Sequence, residues 1–170
     1  YGNEIHGLVN ISGGLVQRKK IDEMDENFLN KVVQLNFNST FLATQQVIPY
    51  MTSGSSIVNF ASQAGRDGGG PGASAYAASK GAVITFTRSM AKELGQQGIR
   101  VNSLCPGMIA TTFHDTFTKD EVRSNVANAT PLKREGRPDE MATTVSFLLS
   151  DESSFLTGVN LDTNGGLVFS

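Results

Sequence analysis

From Val32 to Gly65 the chain carries no aspartate, glutamate, lysine or arginine. A run of that length must lie in an apolar surrounding, either lipid or protein. Asn, Gln, Ser and Thr interrupt it too often for a membrane span, so it is expected to be buried on several sides within protein. Its first half continues an apolar pattern that begins at Phe28, Leu29, Val32 and Val33, with Asp22 and Asp25 offering N-cap oxygens. This predicts one long helix from about Glu26 to Met51. Its second half contains "SSIVNFAS", Ser55 to Ser62, which reads as a strand.

The same alternation runs through the rest of the chain. "IHGLVNIS", Ile5 to Ser12, is a strand candidate ending in Gly13-Gly14, and a glycine-rich loop, "QAGRDGGGPGAS", follows Ser62. A second helix is predicted from about Ser74 to Leu94, "IRVNSLC" is a third strand, and Pro138 with Asp139 and Glu140 starts a helix reaching about Leu149. "GVNLDT", Gly158 to Thr163, is a short final strand. Strands and helices in alternation imply an α/β fold with a parallel sheet and helices on its faces. The polar segment from Thr112 to Arg134 reads either as a lid or as a surface helix.

Composition narrows the function classes. The chain's 170 residues, 39% hydrophobic and 18% charged, suit a single soluble domain. A net charge of -2 gives no reason to expect nucleic acid or an acidic membrane as partner. Cys105 is the only cysteine, which excludes an internal disulfide, fits a reducing compartment and reads as a small core residue. Two histidines, His6 and His114, show no metal-binding spacing, so no metal site is expected. Arg18, Lys19 and Lys20 read as a solvated loop.

"SAYAASKGA", Ser74 to Ala82, places Tyr76 and Lys80 four residues apart, on one face of a helix. A cation there would lower the tyrosine pKa and fit the phenol for proton transfer. The same spacing also suits an amphipathic helix with an exposed lysine. Ligands in a parallel sheet bind beyond the carboxyl ends of the strands. At those ends stand Asn10, Ser12 and Gly13, then Ser62 with Gln63 and Arg66, then Pro106 to Thr111.

These residues together resemble the short-chain dehydrogenase/reductase family, classical type. The likeness rests on Tyr76-x-x-x-Lys80, Ser62 fourteen positions earlier, Asn36 in the long helix, "NISG" at Asn10 to Gly13, Pro106-Gly107-x-x-x-Thr111, "GRPDEMA" and "TGVNLDTNGG". The resemblance implies a Rossmann-like doubly wound sheet and an NAD- or NADP-dependent oxidoreductase interconverting a carbonyl and a secondary alcohol. It implies Tyr76 as general acid/base, Ser62 as partner of the substrate oxygen, Lys80 as the group that lowers the Tyr76 pKa and holds the nicotinamide ribose, and Asn36 as a member of a proton relay. Asn10, Ser12, Gly13, Pro106, Gly107, Ile109 and Thr111 would contact the cofactor. Gln63 and Arg66 would face the substrate, Arg66 either as the seat of a carboxylate or as an exposed loop arginine.

The first strand resembles the family's fourth, so residues 1–170 read as the C-terminal portion of a single Rossmann-like domain, without the glycine-rich turn that seats a pyrophosphate. Alone from Tyr1, such a chain is expected to aggregate along Ile5 to Asn10 and to bind no NAD(H) or NADP(H). The longer protein is expected to be a cytoplasmic homo-oligomer, a dimer or tetramer. Its substrate is read as a sugar- or uronate-derived keto acid, with a 3-oxoacyl thioester or free sugar as the alternative. A catalytically silent binding or structural module is the reading from another class.

Overall fold

The computed structural model describes residues 3–169. Four strands form one parallel sheet in the order β1 (Ile5–Asn10), β2 (Met51–Phe60), β3 (Arg100–Pro106) and β4 (Asn160–Thr163). Each crossover carries helix: α1 (Glu26–Val33) and α2 (Ser39–Val47), then α3 (Ala64–Asp67) and α4 (Ser74–Leu94), then α5 (Thr112–Phe117), α6 (Asp120–Ala129) and α7 (Pro138–Leu149). Among the described residues no helix is long and apolar enough to cross a membrane.

Alternation along the strands sorts the core into two layers. Ile57 and Val101 pack under α2 and α4 with Met51, Ala91, Leu94 and Ile99. Val58 and Leu104 point the other way and pack with Val9, Phe60 and Leu148 against α7. Cys105 is fully buried, and burial pushes its thiol up from the ordinary range. The register sets Asn10 beside Asn59 and Cys105 beside Asp162, so the strands end level with one another.

α4 and α7 have the bounds the sequence indicates, and Asp25 caps α1 by accepting from the Phe28 N–H at 2.7 Å. The single helix expected from Glu26 to Met51 is corrected. A π-turn, Gln34–Asn38, separates α1 from α2, a short 3-10 turn at Ile48–Tyr50 closes the segment, and Met51 already belongs to β2. The uncharged run is buried on several sides in β2, from Ser55 to Asn59, but less completely in its helical part. There Leu35, Phe41 and Leu42 are 40%, 40% and 53% exposed, and the fully inward face is Val32, Asn36, Thr40 and Thr44. The polar segment after β3 folds into α5 and α6, braced by Arg123, which pairs with Asp115 at 2.6 Å and Glu135 at 2.7 Å.

Candidate active site

A cavity of about 870 Å³ opens at the carboxyl ends of β1, β2 and β3. Ser62 leaves β2 and Tyr76 enters in the first turns of α4, so two hydroxyls from separate elements meet at its wall. Burial pushes the Tyr76 phenol above its ordinary range, and a hydrogen bond with Ser62 pulls it partly back. The phenol is therefore protonated at neutral pH. Ser62 is itself fixed, its Oγ accepting from the Ala64 N–H at 3.1 Å.

Lys80 lies one turn after Tyr76 and is 3% exposed, which rules out the solvent-exposed lysine of a merely amphipathic helix. Its ammonium donates to the Phe60 carbonyl at 2.7 Å. Burial pushes Lys80 down to about 8, opposed by the nearby Cys105. The expected lowering of Tyr76 by Lys80 is thus corrected. Desolvation dominates at the phenol, and the lysine directs its charge at a backbone carbonyl.

Asn36 sits inside the π-turn, a backbone irregularity that recurs at functional sites. Its side chain is fully buried and grips the loop after β1. Oδ1 accepts from the Gly14 N–H at 3.0 Å, while Nδ2 donates to the Gly14 carbonyl at 2.9 Å and to the Val32 carbonyl at 2.8 Å. Asn36 therefore stands behind the cavity wall rather than in its lining. Gly13 is pressed between the two polar side chains. A Cβ there would stand 2.7 Å from Asn36 Oδ1 and 2.8 Å from Lys80 Nζ. Asn36→Ala is expected to destabilise the fold by about 2 to 4 kcal/mol in denaturant unfolding, because it strands buried backbone groups of Gly14 and Val32. A change within experimental error would show that water replaces the side chain.

Gly13, Ser62, Gln63, Tyr76, Lys80, Pro106, Gly107, Ile109 and Thr111 all line the cavity. Besides Asn36, three expected residues do not. The Asn10 amide donates to Asn59 Oδ1 at 2.8 Å and to Thr44 Oγ1 at 3.1 Å, on the α2 face of the sheet, while its neighbour Val9 faces the cavity. Ser12 is exposed and lies outside the lining. Arg66 turns away from the cavity. Its Nε lies 2.6 Å from Asp162 Oδ1 and its Nη2 donates to the Asn160 carbonyl, so it is committed to β4 rather than to a substrate. Phe113, in the segment read as a lid or a surface helix, packs its ring on Tyr76 at 5.8 Å between centroids, and the residue that sequence reasoning missed is Arg18, which lines the cavity.

The site suits a nicotinamide nucleotide. Gly13 supplies a wall with no side chain, and Lys80 spends one of its three ammonium protons on Phe60 and keeps two donors.

A family model described as "Enoyl-(Acyl carrier protein) reductase" matches residues 1–168. The chain is 40% identical over 170 residues to 3-oxoacyl-[acyl-carrier-protein] reductase FabG of Thermotoga maritima, which covers 99% of this chain and 68% of that protein. A crystal structure of a short-chain dehydrogenase/reductase from Brucella melitensis superposes with a TM-score of 0.92 at 32% identity, over 98% of this chain and 66% of that one. NADH-dependent reductase A1-R', titled as responsible for alginate metabolism, superposes with a TM-score of 0.88 at 31% identity, over 99% of this chain and 67% of that one. Other curated relatives are matched over 65% and 59% of their length, so the chain spans about two thirds or less of the proteins it resembles. Fold, sheet order, the Ser62–Tyr76–Lys80 cluster and these likenesses agree, and the chain belongs to the short-chain dehydrogenase/reductase family.

Proposed function

We propose that the protein containing this chain is an NAD(P)-dependent oxidoreductase that interconverts a carbonyl and a secondary alcohol. The observation that carries this reading is that Ser62, Tyr76 and the buried Lys80, from separate elements, line the wall of one large cavity. A protonated phenol serves the reducing direction: Tyr76 gives its proton to the carbonyl oxygen as negative charge develops there, and Ser62 orients that oxygen. Asn36 holds the Gly14 backbone and with it the wall at Gly13. A nicotinamide nucleotide, when bound, supplies the hydride. Lys80, Gly13, Pro106, Gly107, Ile109 and Thr111 would hold it.

The substrate we favour is a sugar- or uronate-derived keto acid, supported by the glycine-rich segment from Asp67 to Ala73 and by likeness to the alginate-metabolism reductase. The 40% identical 3-oxoacyl reductase favours a second reading, a 3-oxoacyl thioester. The test is consumption of NADH and NADPH by the full natural polypeptide, offered a uronate-derived keto acid, a 3-oxoacyl thioester and a free sugar. The keto acid is expected to be reduced fastest. No consumption with any of them would leave only the binding-module reading.

We also infer a cytoplasmic homo-oligomer. The buried single thiol suits a reducing compartment, and the exposed Leu35, Phe41 and Leu42 on an uncharged helix suit a second copy of the chain. Light scattering of the full polypeptide is expected to give a dimer or tetramer, and a stable monomer would remove this inference.

A further inference from the structure

With Arg66 bound to Asp162, the carboxylate of a keto acid needs another partner. Arg18, in the loop between β1 and α1, lines the cavity near Asp67, Gly70, Phe113 and His114. Its Nε donates to the Phe117 carbonyl at the end of α5 at 3.3 Å, and its Nη1 donates to the Pro71 carbonyl at 3.0 Å. The neighbouring Lys19 N–H donates to the Gly72 carbonyl at 3.1 Å. One arginine thus ties α5 to the glycine-rich segment at the cavity wall.

The segment is shaped around it. Gly72 has φ +75°, and a Cβ there would stand 3.1 Å from Arg18 Cβ. A side chain at that position would push the arginine out of place. These two bonds occupy two of the five guanidinium N–H groups, which leaves three donors at Nη1 and Nη2. The guanidinium is also exposed and open to a ligand. Arg66, Arg123, Arg134 and Arg137 each hold a carboxylate, whereas among the described residues none pairs with Arg18. Asp67, the acid in the same part of the cavity, is already satisfied by Gln63 Nε2 at 2.9 Å and by the Gly69 N–H at 2.8 Å.

We propose that Arg18 is a specificity-determining residue that seats an anionic group of the substrate, carried several bonds from the reacting carbonyl. The spacing follows from the aromatic layer between the two: Tyr76 packs on Phe113, Phe113 packs on Phe117 at 5.2 Å, and Arg18 holds the Phe117 carbonyl. The anion is the carboxylate of a keto acid or the phosphate of an acyl-thioester arm, and both suit a guanidinium fork. This inference rests on the oxidoreductase reading for its substrate but on geometry for its anion.

The experiment compares the full natural polypeptide with its Arg18→Ala and Arg18→Lys variants on two matched pairs, 5-oxohexanoate with its methyl ester and acetoacetyl-CoA with acetoacetyl-N-acetylcysteamine, using NADH and NADPH. Binding of 5-oxohexanoate and of its ester is measured in parallel by calorimetry. In Arg18→Ala, kcat/KM for the anionic member of one pair is expected to fall at least about tenfold further than for its neutral partner, mostly through KM. Arg18→Lys is expected to keep only part of that preference, because the charge remains but the fork is lost. A preference confined to the acid pair assigns a carboxylate, and one confined to the thioester pair assigns a phosphate. Equal losses on both members of each pair would make Arg18 a structural tie and overturn the proposal. Turnover of all four compounds without preference overturns it while leaving the oxidoreductase reading intact. Acid binding that depends on Arg18 without turnover supports it while removing that reading, and neither turnover nor such binding removes both.

Discussion

Tyr76→Phe in the full natural polypeptide is expected to lower kcat by at least about 10³-fold while leaving cofactor affinity nearly unchanged, because the ring stays and only the proton donor is lost. The packing against Phe113 survives the change, so the fold and the cavity wall survive with it. Ser62→Ala is expected to lower kcat less, by roughly 10²-fold, through lost orientation of the substrate oxygen. The pH dependence separates the two. Burial holds the phenol above its ordinary range, so reduction by the wild type should not lose activity through tyrosine ionisation until well into the alkaline range. Ser62→Ala removes the hydrogen bond that lowers the phenol, and should move that alkaline limit further up. Wild-type kcat in the phenylalanine variant would show that Tyr76 transfers no proton, and the proposed chemistry would fall with it.

Lys80→Met is expected to do two opposite things: abolish activity and stabilise the fold. The lysine is buried and its pKa lies at about 8, against 10.5 for a free side chain. Between those values the unfolded chain keeps a proton that the folded chain has shed, so stability rises with pH across that window and is lowest below it. At about 1.4 kcal/mol per pKa unit, the buried ammonium costs on the order of 3 kcal/mol at neutral pH. Methionine removes that cost and loses the hydrogen bond to the Phe60 carbonyl, worth about 1 kcal/mol. The variant should therefore be about 2 kcal/mol more stable than wild type in urea unfolding at pH 7, and the gain should fade as pH approaches 10.5. A less stable, still active Lys80→Met would make the lysine a structural strut.

Elements whose signals are local were legible before any coordinates. Ser74 and Pro138 open helices that end where the apolar pattern ends, and the strands appear within a few residues of their bounds. The Ser62–Tyr76–Lys80 cluster was legible for the same reason, since it needs only strand ends and one helical turn. What stayed hidden depends on partners far away along the chain. Nothing near Arg66 announces Asp162, and nothing near Arg18 announces the Phe117 and Pro71 carbonyls. A loop cation looks solvated until the fold brings its acceptors. Asn10 was within reach: the strand's alternation already sets Val9 and Asn10 on opposite faces, and only one of them can face the cavity.

The π-turn at Gln34–Asn38 also fixes the length of this chain. It holds one residue more than an α-helical turn, so everything from α2 onward is set about 100° around the axis from where an unbroken helix would place it. A single-residue deletion there would heal the hydrogen-bond ladder and suit the isolated helix better. The same deletion would swing Asn36 off Gly14, or Thr44 off Asn10, depending on which side absorbed the rotation. The extra residue thus cannot be removed without loosening either the wall of the site or the buried amide network.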